Sequence, residues 1–313
     1  LLKKTLMNLK KMYFNSQDKV REFKRDWDDV RFTNGRKRHD INVTAALIYL
    51  YKHYDMDFGS LDNFLGSGKI NNPGFQNTMK AYIHEEYIRK FISHNAHYVD
   101  DFLLGIALFY DEQKLYREDG AREDNESLNN LLEELVDCNS LKECSFLQGN
   151  ANPGRILVDM ASRMPSLNYT AYAIHPDLMV VLQLRLLLLQ IIQQDMKSGG
   201  VIQPKDIVEN QLFDRILTMP LWRPSSKAME YFPERTSLSK LDVPESKIAD
   251  GEWHEILFNL SLLDRNGKMV TLITNSTLAN NLSVKTRQAL VEKGYIESII
   301  ELPDRLLENT GIE

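Results

Sequence analysis

The sequence changes rhythm a little before its midpoint, and no single layer of secondary structure accommodates both parts. Up to about Tyr116 the apolar residues recur at intervals of three and four. Ala45, Leu47, Ile48, Leu50 and Tyr51 form one such series, and Tyr82, Ile83, Tyr87, Ile88, Phe91 and Ile92 another. That spacing belongs to one face of a helix. Asn72-Pro73-Gly74 puts a proline inside a first helical turn, where its missing N–H costs nothing. Nothing in this part alternates as a strand does.

Beyond it, short apolar runs alternate with amphipathic stretches. Phe146-Leu147 precedes Gly149 and Gly154, a helix starts at Pro176, and Phe213 to Met219 has the character of a strand. Trp253 to Leu263 is helical, Met269 to Ile273 is a short β-branched run, Val284 to Lys293 is a helix stopped by Gly294, and Tyr295 to Leu302 is a strand again. Strands alternating with helices predict a mostly parallel, doubly wound sheet. Between the two parts, residues 117–127 are charged and free of large apolar side chains, and Ser127 is placed to cap a helix from Leu128 to Val136. The expectation is an α/β protein with a helical N-terminal domain over residues 1–118 and an α/β domain over 119–313.

The longest apolar stretch, Leu178 to Ile192, is interrupted by Gln183, Arg185 and Gln190. It falls short of the roughly 20 apolar residues that cross a bilayer, so no membrane partner is expected. Cys138 and Cys144 lie six positions apart without zinc-site spacing. They predict neither a disulfide framework nor a metal, and a reducing cytoplasm suits them. The chain opens at Leu1, with Lys3 and Lys4 but without the apolar run of a signal peptide, and is expected to be a piece of something longer.

Charge is unevenly spread. Residues 1–40 hold twelve Lys and Arg against six acids, a net of +6, whereas the rest of the chain carries −12. Lys10, Lys11, Arg36, Lys37 and Arg38 are candidates for phosphate contact, since clustered cations displace counterions from nucleic acid. A solvated helix face explains the same cluster, and charge alone does not separate the two.

The last sixty residues carry a more specific pattern. Gly267 opens a strand-like run through Met269-Val270-Thr271-Leu272-Ile273 into Thr274-Asn275-Ser276. Arg287 and Leu290 follow, then Gly294-Tyr295-Ile296-Glu297-Ser298-Ile299-Ile300-Glu301-Leu302-Pro303, then Asn309-Thr310-Gly311-Ile312. In order and spacing this resembles the closing section of the modification subunits of type I restriction-modification systems. Those subunits are adenine-specific DNA methyltransferases that use S-adenosylmethionine. The resemblance implies a helical N-terminal domain and a Rossmann-like sheet, with cofactor and base beyond the carboxyl ends of the strands. It further implies a seventh, antiparallel strand after Asn-Thr-Gly-Ile, inserted between the strands at Met269–Ile273 and Tyr295–Leu302. Because the sequence ends at Glu313, that strand is expected to be missing and the α/β domain truncated.

The residues at the family's chemical positions differ from its pattern. The catalytic Asn-Pro-Pro-aromatic is matched by Met219-Pro220-Leu221-Trp222, at the end of a strand begun by Asp214. In the family the Asn side chain and a proline carbonyl accept hydrogens from the amino group of a flipped adenine. Met219 offers only a weak thioether acceptor. The cofactor loop, Asp-Pro-Ala-Cys-Gly-Ser-Gly-Gly in the family, is matched by Gln148 to Arg155, with Gln148 for the acid, Asn152 for a glycine, Pro153 for the serine and Gly154 retained. Ala173 stands where a glutamate holds the ribose hydroxyls, and Asp206 matches the acid near the adenine of the cofactor. Arg122 to Asn125 replace an element that packs on the cofactor methionine.

The expectation is therefore a methyltransferase-like DNA-modification subunit that has lost catalysis, binds no S-adenosylmethionine and acts through DNA, a specificity subunit or a homologous modification subunit. The alternative is an active S-adenosylmethionine-dependent adenine methyltransferase with divergent motifs.

Overall fold

The computed structural model describes residues 2–33, 40–66, 73–110, 126–141, 143–151, 154–164, 166–174, 176–193, 196–207, 211–220, 229–232, 241–244 and 251–303. The charged stretch expected as a linker lies outside them up to residue 125, as do Arg122 to Asn125 and Asn309 to Ile312. The chain forms two compact units. One comprises Leu1–Leu115, Pro153–Ser166 and His175–Val201, the other Tyr116–Asn152, Leu167–Ile174 and Ile202–Glu313.

The first unit opens with helices α1 (Leu2–Asn15), α2 (Gln17–Thr33), α3 (Asp40–His53), α4 (Phe58–Gly66), α5 (Pro73–His84), α6 (Glu86–Asn95) and α7 (Asp100–Phe109), and it also holds α9 (Arg155–Arg163) and α10 (Pro176–Ile192). Every residue from Ile41 to Leu50 is buried, so α3 is covered on all sides, as a helix apolar all round its circumference must be. It packs on α6, α7 and α10. Phe23 and Trp27 of α2 meet Phe91 of α6 edge-on, and Phe23 meets Phe102 of α7 in the same way. Each such fully buried ring contributes about 2 kcal/mol.

The carboxyl end of α7 is buried, where the last carbonyls of a helix have no partner within it. Side chains from elsewhere supply the donors. Asn42 Nδ2 reaches Ile106 O at 3.0 Å and Tyr110 O at 2.8 Å. The buried Arg185 donates to Ala107 O at 3.1 Å and Tyr110 O at 2.9 Å. Arg155 donates to Phe109 O at 3.1 Å. Cations also suit the negative end of the helix dipole.

The second unit contains α8 (Glu126–Val136), β1 (Ser145–Gly149), β2 (Asn168–Tyr172), β4 (Phe213–Thr218), α11 (Gly251–Ser261), β5 (Leu263–Thr271), α12 (Asn275–Ala279) and α13 (Val284–Glu292); the unit boundary falls within β3 (Lys197–Ile202). The sheet order is β3-β2-β1-β4-β5, with β1 parallel to β2 and to β4, and β4 parallel to β5. This is the α/β, Rossmann-like arrangement expected. Leu147 and Ile216 face Trp253, Ile256 and Leu257 of α11 in one apolar cluster. Phe146 and Tyr169 point the other way and stack edge-on. A strand buried on both faces, as β1 is from Phe146 to Gly149, belongs at the centre of a parallel sheet.

Four elements differ from expectation. Tyr295 to Leu302 is not a strand: after α13, Gly294 at φ 70° and the Tyr295 N–H to Leu290 carbonyl bond close the helix, and the chain continues without a ladder. Among the described residues no strand lies beside β5 on its outer edge, and Ile299 and Ile300 are 66% and 51% exposed. β3 was not expected, because Gly199-Gly200 interrupts the β-branched signal. β5 begins at Leu263 rather than Met269, with an irregular register against β4 at its start. Ser127 lies inside α8 rather than at its cap.

Candidate functional site

Chain order reverses between β1 and β4: β2 and β3 extend the sheet to one side of β1, whereas β4 lies on the other. In open α/β sheets the crevice beyond the carboxyl ends of two such strands is where ligands bind. Here those ends present Gly149 and Asn150 from β1, and Thr218, Met219 and Pro220 from β4, with Tyr172 and Ala173 from the neighbouring β2.

Asn150 has a left-handed backbone at φ 49°, which asparagine tolerates better than most residues. Its side chain is 1% exposed and donates from Nδ2 to the Met219 carbonyl at 2.9 Å, so it ties the two strand ends together. Its Oδ1 is buried and accepts no hydrogen bond among the described residues.

Gly149 is surrounded by polar atoms. A methyl group there would lie 2.8 Å from Asn259 Oδ1, 2.8 Å from the Tyr172 hydroxyl and 2.9 Å from Thr218 Oγ1. These belong to one buried network. Asn259 Nδ2 donates to the Tyr172 hydroxyl at 2.7 Å, and Tyr172 donates to Glu255 Oε1 at 3.2 Å. Thr218 Oγ1 also reaches Glu255 Oε1, at 3.4 Å. Glu255 and Asn259 sit one turn apart on α11, so a single helix face delivers both. Burial, and then the neighbouring Glu255 charge, push the Tyr172 phenol well above its ordinary range, keeping it a donor. The strand-like run Phe213 to Met219 included Thr218 without giving it a further role, and periodicity did not single out Tyr172; polar residues four apart on a largely apolar helix were the available signal for Glu255 and Asn259.

The other positions singled out from sequence are dispersed. Gln148 is buried in β1, Ala173 is 1% exposed and Met219 is 7% exposed, while Pro220 is buried beside it. Asp206 is exposed in a 3-10 turn over Pro204–Asp206. Gly154, in the first unit, has φ 78°, and a methyl there would lie 2.4 Å from Leu182 Cδ1. The next residue, Arg155, is held by Asp159 at 3.3 Å, and its guanidinium lies over the Phe14 and Phe109 rings. Asn152, Pro153, Leu221 and Trp222 lie outside the described residues.

Among the arm cations, Lys10 is committed to Asp159 at 3.2 Å, whereas Lys11 is exposed. Arg36, Lys37 and Arg38 lie outside the described residues. Arg21 pairs with Asp18, and Lys24 with Asp28 at 2.5 Å, so part of the positive arm is neutralised along its own helix. No group of three or more metal-ligating side chains is found among the described residues, and no helix there is long and apolar enough to cross a membrane.

A mostly parallel sheet whose strand order reverses beside β1 defines a Rossmann-like, doubly wound domain. The segment 181–313 matches the model of the N-6 DNA methylase family. No curated protein matches the chain. Among solved structures, the chain is similar to a type I restriction-modification system methyltransferase subunit from Streptococcus thermophilus, with 15% identity, 79% of this chain and 53% of that one covered, and a TM-score of 0.45. It thus spans about half the length of that subunit. A second similar structure, from Listeria monocytogenes, is assigned as a class I S-adenosylmethionine-dependent methyltransferase, with 12% identity, coverage of 86% and 83%, and a TM-score of 0.49.

At these strand ends Ala173 has no side-chain acceptor to offer a ligand such as S-adenosylmethionine, and the Met219 carbonyl accepts one hydrogen bond, from Asn150.

Proposed function

We propose that this chain is a methyltransferase-like subunit of the DNA-modification type that has given up methyl transfer and works through DNA, a specificity subunit or a homologous modification subunit. The observation that carries this reading is the buried end of β4. Where polarising an adenine amino group requires a side-chain acceptor, the buried Met219 offers only a thioether. Ala173 at the end of β2 supports the same conclusion for the cofactor. Lys11, together with Arg36, Lys37 and Arg38, is assigned to phosphate contact; Lys10, which holds Asp159, serves mainly to fasten α1.

One observation favours the second reading, an active adenine methyltransferase with divergent motifs. The buried Asn150 Oδ1 is a carboxamide acceptor without a partner, close to where the family places its own. Titration with S-adenosylmethionine by calorimetry separates the two. The first reading expects no heat up to millimolar cofactor; saturable binding in the micromolar range would overturn it in favour of the second.

A further inference from the structure

The turn leading into β1 places the chain's two thiols side by side. Cys138 begins a 3-10 turn over Cys138–Ser140, Leu141 N–H bonds back to its carbonyl, and the chain returns so that Cys144 Sγ lies 4.0 Å from Cys138 Sγ. Both residues are buried, at 1% and 3% exposure, and both are free thiols. Sequence spacing gave no reason to pair them, because six positions leave open whether the turn folds back.

The surroundings fix both ends of this turn. Cys144 is held in the sheet by the Asn168 N–H bond to its carbonyl. Arg215, on the adjoining strand β4, donates to Ser140 Oγ at 3.2 Å and to the Asp214 carbonyl at 2.8 Å. Its buried Nε has no partner among the described residues. The shared hydrogen between the sulfurs holds the Cys144 thiol below the usual cysteine range and the Cys138 thiol above it, and the Arg215 charge favours a thiolate at either. A cation beside a thiol is a general route to a more nucleophilic sulfur.

We infer that Cys138 and Cys144 form a reversible intramolecular disulfide when the protein meets a peroxide. The Cys144 thiolate attacks a peroxide oxygen, the O–O bond breaks, and the expelled hydroxide takes a proton from solvent to leave as water, giving a sulfenic acid; Cys138 then attacks the sulfenyl sulfur, and its thiol proton leaves with the expelled hydroxide as a second water. The two sulfurs are oxidised and the peroxide is reduced. Closing the gap requires the sulfurs to approach from 4.0 Å to a bonding distance of about 2 Å. The product staples the α8–β1 connection at the end of β1 away from Gly149.

The test uses the whole chain. Folded protein is treated with hydrogen peroxide, quenched, denatured and alkylated with iodoacetamide, and intact mass is read with and without prior dithiothreitol. The expected result is loss of the mass of two hydrogens, no alkylation of either cysteine, and recovery of two alkylated thiols after dithiothreitol. Peptide mapping then finds Cys138 linked to Cys144 within one monomer. Full alkylation after peroxide, sulfinic acid on either residue in place of a crosslink, or dimers on a non-reducing gel would each overturn the inference. Because the wild-type chain supplies every readout, a Cys144→Ser variant that failed to fold would not affect the result.

Discussion

Gly149→Ala adds one methyl group where three buried polar side chains converge, and its effect follows from the geometry. The new carbon would lie 2.8, 2.8 and 2.9 Å from Asn259 Oδ1, the Tyr172 hydroxyl and Thr218 Oγ1. Ordinary contact begins at about 3.4 Å, so all three must retreat by about half an ångström in different directions. None can do so alone, since Tyr172 and Thr218 share Glu255 and Asn259 is bound to Tyr172 at 2.7 Å. Overpacking of this kind costs about 1–3 kcal/mol, and each buried hydrogen bond stretched out of range adds about 1 kcal/mol. The expected loss is about 3 kcal/mol. Gly149 does not have a positive φ, so backbone strain adds nothing. Urea unfolding followed by near-ultraviolet circular dichroism reads the shift of the sheet-containing unit. In an Asn259→Ala background, which removes one of the three obstacles, the same substitution should cost at least about 1 kcal/mol less. A variant within about 0.5 kcal/mol of wild type, or one whose cost is the same in both backgrounds, would refute the packing argument.

Two further outcomes are expected. Arg185→Met should destabilise the helical unit by about 1–3 kcal/mol, because carbonyls at the end of α7 lose charged donors while the desolvation of a guanidinium is relieved; protection of the Tyr110 amide, bonded to Ile106, should fall with it in hydrogen exchange, and unchanged protection would show that Asn42 alone suffices. The Asp214 carboxylate accepts from Ser145 N at 2.8 Å and Ser145 Oγ at 2.7 Å, which holds it below the usual carboxylate range. Its contribution is therefore present above the ordinary carboxylate value of about 4 and lost as pH falls through the depressed value. Asp214→Asn should cost about 1–2 kcal/mol at neutral pH and flatten the acid limb of a stability profile, and parallel wild-type and variant profiles would exclude this role.

Periodicity made the helical character of the first hundred residues legible, because amphipathic and fully buried helices both repeat at three and four. The strands at Phe146–Leu147 and Phe213–Met219 were legible for the opposite reason, being short, apolar and bounded by turn residues. Tyr295 to Leu302 failed because β-branched composition describes a capacity to pair, and pairing depends on a neighbour that local sequence does not contain. Lys-Ser-Gly-Gly-Val-Ile hid β3 because glycine carries no side-chain signal. At the candidate site, Met219 and Ala173 were found only through motif spacing. The Asn150 latch and the Glu255–Asn259 pair stayed hidden because each depends on residues about seventy or more positions apart, or on which way a helix turns. The thiol pair is a third such case.

The donors gathered on α7 have a consequence for how the chain is made. Asn42 leaves the ribosome before α7, but Arg155 and Arg185 come after β1 and β2 respectively. A nascent chain that has reached only residue 118 would hold all seven opening helices yet lack two of the groups that close the last of them. The helical unit therefore cannot mature before β1 and β2 have been made, although synthesis runs amino-terminal part first. Its completion waits for segments emitted during and after the first two strands, so the two units are coupled in time through the interleaved path of the chain. Such late, long-range closure slows folding and lengthens the interval in which the apolar faces of α3 and α7 stand uncovered.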